Sequence, residues 1–341
     1  MKYRCLAVVV TIFLTPVFLV AQSTQSTPRT LWGAPDLQGI WNNSTLTPFQ
    51  RPDELRDQEF LTEEEAASVE QRASERNSDL ANRPALRTVV DADGSVDRGI
   101  NGAPGSYNNF WMERGTTVVS TRRTSIIVDP PDGRLPAVTT KTLRRMSSPE
   151  AKQLAEIRSG RLPTDTFEQL DLGDRCIWYR GIPSFPTAYN NNYQIFQNPD
   201  FVVILQEHIH DVRFVPLDGR AHIPESVRQY AGDSRGHWEG DTLVVETTHF
   251  NKHAFIRNFN SSLSEALHVI ERFTRIDADT LDYEFTVADP NTWVRPWSGS
   301  LPLSRTEGPM FEYACHEGNY GLMNMLAGSR AQEKTARNRQ P

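Results

Sequence analysis

The sequence has only three cysteines, no excess of positive charge and, beyond its first 21 residues, no long uninterrupted apolar run. Each shortage removes a class of protein. With 36 Lys plus Arg against 43 Asp plus Glu, the formal charge is -7, so no global field draws the chain to phosphate backbones, and nucleic-acid binding is not expected. Without a span of roughly 20 apolar residues in the body of the chain, stable membrane insertion is not expected either. The sequence also lacks a phosphate-cradling loop ending in Lys-Ser or Lys-Thr, a His-Glu-x-x-His helix and paired Cys-x-x-Cys motifs. Nucleotide chemistry and zincin-type proteolysis lose support accordingly. Gly232-Asp233-Ser234-Arg235-Gly236 holds a serine between glycines but lacks the strand-to-helix setting of a nucleophile elbow, so Ser234 reads as a turn residue.

What is present is enough for a real core. Hydrophobic residues make up 38% and aromatics 9% of 341 residues, which excludes a disordered chain and suits one large domain or two ordinary ones. Lys2 and Arg4 precede an apolar stretch over 6–21, followed by Gln22-Ser23-Thr24, the pattern of a secretory signal. A secreted or periplasmic location is therefore expected. Cys5 would leave with the signal, and the even pair Cys176 and Cys315 is expected to form one disulfide in an oxidising compartment. The chain divides into a signal peptide (1–21), an N-terminal arm, helix and long loop packed on the main domain (22–110), and a β domain (111–341).

Local patterns give the fold class. Thr62 and Glu65 have capping-box spacing ahead of an exposed helix running to Asn82, and Ser147 or Ser148 precedes a helix over 149–158. Gly39-Ile40-Trp41 reads as a short early strand. β-branched or alternating runs follow at 116–120, 124–128, 193–196, 201–205, 212–215, 243–248, 267–275, 281–287, 297–303 and 310–313, punctuated by Asp-Gly turns. A short helix is expected over 320–327. The class is mainly β: an antiparallel meander closing into a lipocalin-like barrel or a two-sheet sandwich, with a few peripheral helices. A propeller ranks second, because no repeat of 40 to 45 residues runs through the chain.

Chemistry concentrates between residues 207 and 249. In an extended strand the two-residue period sets His208 and His210 on one side with Val212 and Phe214, and Asp211 and Arg213 on the other. His210 is assigned as general acid or base, with Asp211 or Asp233 orienting it. Arg213 and Arg235 would stabilise developing negative charge. His222, Arg228, Tyr230 and Trp238 would line the ligand pocket, since an organic ligand needs apolar walls with a few polar fixings. Near the C-terminus, a disulfide at Cys315 would hold His316 and Glu317 as a second proton relay beside Tyr320. Trp293 and Trp297 fit either a pocket rim or the core. No cofactor is expected; the alternative is a divalent metal on His208, His210 and His222, although the Glu a cupin would place after the second His is missing.

The segments 123–134 (RTSIIVDPPDGR), 232–245 (GDSRGHWEGDTLVV) and 313–321 (YACHEGNYG) resemble a family of secreted bacterial proteins known only as hypothetical ones. The likeness runs from about Trp32 to Arg330. It implies export and a bacterial source, and it carries no activity and no residue roles. The residues themselves lead to a pocket for a small, partly apolar organic molecule, serving a cofactor-free lyase, isomerase or hydrolase. The alternatives are a noncatalytic ligand-binding or envelope protein and a His-ligated metalloenzyme. The sequence fixes no oligomeric state.

Overall fold

The structure, a computed structural model, describes residues 27–82, 112–256, 259 and 263–338. The signal reading over 1–21 and the loop expected over 83–108 lie outside them. Eleven strands build one antiparallel sheet. They are β1 (Gly39–Asn42), β2 (Ile127–Asp129), β3 (Asn192–Gln197), β4 (Phe201–Gln206), β5 (Val212–Pro216), β6 (Asp233–Glu239), β7 (Thr242–Thr248), β8 (His268–Arg275), β9 (Thr280–Ala288), β10 (Trp297–Ser300) and β11 (Leu303–Thr306). The helices are α1 (Glu63–Asn82), α2 (Thr140–Met146), α3 (Pro149–Arg158) and α4 (Tyr320–Asn338).

Alternation drives the sheet. In β8 and β9 every second residue is buried, so Val269, Phe273, Leu281, Tyr283, Phe285 and Val287 enter one core with Trp41, Trp293 and Trp297. Both late tryptophans are therefore core residues. The tight turn at Gly240, whose φ is +62°, joins β6 to β7 in register, pairing Asp233 with Thr248. At the start of α1 the capping box forms as expected: the Thr62 backbone N–H donates to Glu65 Oε2 at 2.8 Å, and the Glu65 N–H to Thr62 Oγ1 at 3.2 Å. Ser148 accepts from the Ala151 N–H and caps α3.

The sheet does not close into a barrel, nor does it split into a sandwich of two sheets. Its hydrogen-bonded order is β5-β4-β3-β1-β11-β9-β8-β7-β6, with β10 pairing β9 and β2. The path ends at β5 and β6, and no ladder joins those two strands among the described residues. It is not a meander either, because β1 enters the middle, between β3 and the late β11. The four helices are substantial rather than peripheral, with α1 at 20 residues and α4 at 19, so the fold is mixed α/β with an open sheet. α2 was not expected; its only signal is Thr139, whose hydroxyl accepts from the Thr142 N–H. The runs at 116–120 and 310–313 form no strand. Among the described residues, no helix is long and apolar enough to cross a membrane. The expected bridge is present: Cys176 and Cys315, 139 residues apart, are disulfide-bonded.

Candidate metal centre

The open end of the β6–β7 hairpin gathers three potential metal ligands. Gly232, at φ +66°, delivers the chain into Asp233; a Cβ there would lie 2.5 Å from the Thr248 carbonyl oxygen, so only glycine permits this approach. Directly after β7, His249 adopts a left-handed conformation at φ +59° and turns the chain away. Two backbone bonds lock the crossing, Gln229 N–H to His249 O and Asn251 N–H to Gln229 O, each 2.9 Å. His222 arrives from the loop after β5.

These residues meet at the Asp233 carboxylate. His222 Nδ1 lies 2.7 Å from Asp233 Oδ2, which also accepts the Ile223 N–H at 3.2 Å. Arg235 donates to Asp233 Oδ1 at 2.8 Å and to the carbonyls of Arg220, Ala221 and Ser234, clamping the incoming loop against β6. Burial alone would raise the Asp233 pKa. The bonds from His222, Ile223 and Arg235 outweigh it and hold the carboxyl below its usual range, so it stands as a carboxylate.

The His249 ring stacks on His222 at 5.4 Å, and its Nδ1 is 2.7 Å from Thr248 Oγ1. One ligand atom from each of His222, Asp233 and His249 lies within 4.8 Å of the others, with Asp233 buried and both imidazoles half-buried. This is a His/Asp cluster capable of coordinating a metal ion. Bonds of ~2.1 Å in a tetrahedral shell set ligand atoms roughly 3.4 Å apart, so the widest pair would draw in by up to about 1.4 Å.

The other candidates are placed as follows. Residues 208–210 form a single 3-10 turn with Ile209 at φ +60°, so the two-residue period of an extended strand does not apply there. His208 is buried between the rings of Tyr179 and Tyr313, at 4.3 and 4.6 Å. The His210 side chain lies outside the described part of the molecule. In β5 the faces are the reverse of what apolarity suggests: Val212 and Phe214 are exposed, and Arg213 points inward to Glu271.

Arg228 donates to the Glu265 carbonyl, and Tyr230 faces His253 at 6.0 Å. Trp238 is half-buried opposite Leu243. His316, Glu317 and Tyr320 are exposed beside the disulfide, and none of them belongs to the His/Asp cluster. Ser234 is not a turn residue; it sits buried in β6, bonded to Thr247 across the hairpin.

Two residues of these polar clusters are not among the sequence candidates. His249 was legible in principle, because counting back from the Gly240 turn places residue 248 opposite 233. Glu271 was legible as the acidic member of the alternating series Val269, Glu271, Phe273. No protein-family model matches this chain, and no curated protein sequence matches it.

Proposed function

We propose that this is an exported metal-binding protein whose centre, His222, Asp233 and His249, takes one divalent transition-metal ion of the zinc class. The convergence of two imidazole nitrogens and a carboxylate within 4.8 Å carries the reading. Imidazole and carboxylate donors suit zinc and its neighbours, and three protein ligands leave a position for water or for an oxygen of a small organic molecule. Such an ion supplies Lewis acidity and a water acidified toward neutral pH. Arg235 is fully engaged with Asp233 and backbone carbonyls, so its role is to position the carboxylate rather than to contact a ligand. The Cys176–Cys315 bond supports the export part of the proposal, since such bridges persist in oxidising compartments.

Equilibrium dialysis against Zn²⁺ followed by elemental analysis tests it. One equivalent per chain is expected, retained in His237→Ala, an exposed histidine on the same strand, and lost in Asp233→Asn and His249→Ala. Stoichiometry that Asp233→Asn leaves intact, or no bound zinc at all, overturns it.

A further inference from the structure

A second site lies inside the core, where β3, β4 and β5 face β8 and β9. A narrow pocket there is walled by Ile182, Ile195, Ile204, Phe273 and Leu303. Asn43, Gln206 and Arg213 also line it, and each is at least nine-tenths buried. Among the described residues, Asn43 Oδ1, Gln206 Oε1 and Arg213 Nε have no hydrogen-bond partner. Folded interiors leave few such groups, because each forfeits its hydration without return. Three around one cavity point to a guest.

The pocket's own chemistry defines that guest. Arg213 is already neutralised by Glu271, through Nη1–Oε2 at 2.6 Å and Nη2–Oε1 at 3.1 Å, and the Tyr283 hydroxyl donates to the same carboxylate at 2.8 Å. Burial, reinforced at Tyr283 by the Glu271 charge, holds the phenols of Tyr193 and Tyr283 above their ordinary pKa, so both stay protonated. The lining is thus neutral overall, and an ionic guest would lose its hydration with no counter-charge to meet it. Two protein acceptors and one protein donor remain. A primary carboxamide offers two N–H donors and one carbonyl acceptor, the complementary set.

We propose that this pocket binds a small neutral primary carboxamide, with its NH₂ shared between Asn43 Oδ1 and Gln206 Oε1, its carbonyl accepting from Arg213 Nε–H, and a short apolar tail against Ile195, Ile204 and Leu303. The site is independent of the metal reading.

The test is an NMR titration of the ¹⁵N-labelled full chain, following the Arg213 Nε–H and Gln206 side-chain amide signals. The probes are propionamide, propionate and propylamine, matched in size and differing in charge. Propionamide is expected to shift both signals saturably and to raise Tm, while the two ions do neither. The response should weaken by about tenfold in Gln206→Leu, vanish in Ile204→Phe and persist in Asp233→Asn. If Ile204→Phe fails to fold, Gln206→Leu alone decides. Equal effects from all three probes, or an Arg213 signal that senses only exchanging water, would mean that the pocket holds ordered water and the proposal is wrong.

Discussion

Arg213 and Glu271 form a fully buried, two-point ion pair although they sit on β5 and β8, six steps apart along the hydrogen-bonded path of the sheet. At ~4.8 Å per step a flat sheet would hold those strands roughly 29 Å apart. The sheet therefore bends until its halves face each other, and this pair ties them. Burial alone would lower the Arg213 pKa; the charge and hydrogen bonds of Glu271 outweigh it and keep the guanidinium protonated.

Removing one partner strands the other charge in the core. Arg213→Met is expected to cost about 3–5 kcal/mol in urea unfolding. The double variant Arg213→Met/Glu271→Leu should recover most of that loss, because two apolar groups need no counter-charge. A double variant no more stable than the single would show that the pair does not act as a unit.

Asp211 makes stability depend on pH. Burial pushes its carboxyl from the ordinary 3.8 up to about 8, and its Oδ2 has no hydrogen-bond partner among the described residues. The folded chain thus holds this proton more tightly than the unfolded one. The stabilisation from that proton is complete below pH 3.8 and drains away as pH rises toward 8. Asp211→Asn, neutral throughout, should exceed the parent protein by on the order of 5 kcal/mol at pH 8, at about 1.4 kcal/mol per pH unit. The difference should shrink to nothing at pH 3.5 or below, with denaturation at the two pH values as the measurement.

Arg235 is predicted to tune the proposed metal centre through Asp233 rather than as a ligand. Arg235→Met frees Asp233 Oδ1 and unclamps the loop carrying His222. Zinc affinity measured calorimetrically should fall by about 10- to 100-fold, the usual loss when a ligand's supporting partner is removed. Stoichiometry stays at one equivalent and far-UV circular dichroism is unchanged. An affinity equal to that of the parent would remove Arg235 from the site.

The disulfide closes a loop of well over a hundred residues. In the chain-entropy account it contributes up to about 4–5 kcal/mol. Cys176→Ser/Cys315→Ser should lose a large part of this, and amide exchange should rise first in α4 and in the segment beside Asn319, whose side chain donates to the Asp174 carbonyl.

The local pieces were legible where one short-range rule decides. The Thr62/Glu65 box, the Ser148 cap, the Gly240 hairpin and the Cys176–Cys315 pairing all follow from spacing and side-chain chemistry. The open order of the sheet was not, because turn chemistry says where strands end and not which strands meet. Val212 and Phe214 misled because an apolar pair on a strand reads as the inner face, yet Arg213 takes that side through Glu271, 58 residues on. In the His/Asp cluster, Asp233 and His222 are legible from the sequence, but as parts of a site built on His210. Recognising His249 required pairing β6 with β7 residue by residue.

The insertion of β1 between β3 and β11 has a consequence for how the chain matures. Gly39–Asn42 can complete its pairing only after Leu303–Thr306 has been made, so the middle of the sheet waits for a strand far along the chain. Nascent or truncated products that stop short of that point carry an unsatisfied edge at their middle, and the long separation of partners makes assembly slow and open to self-association.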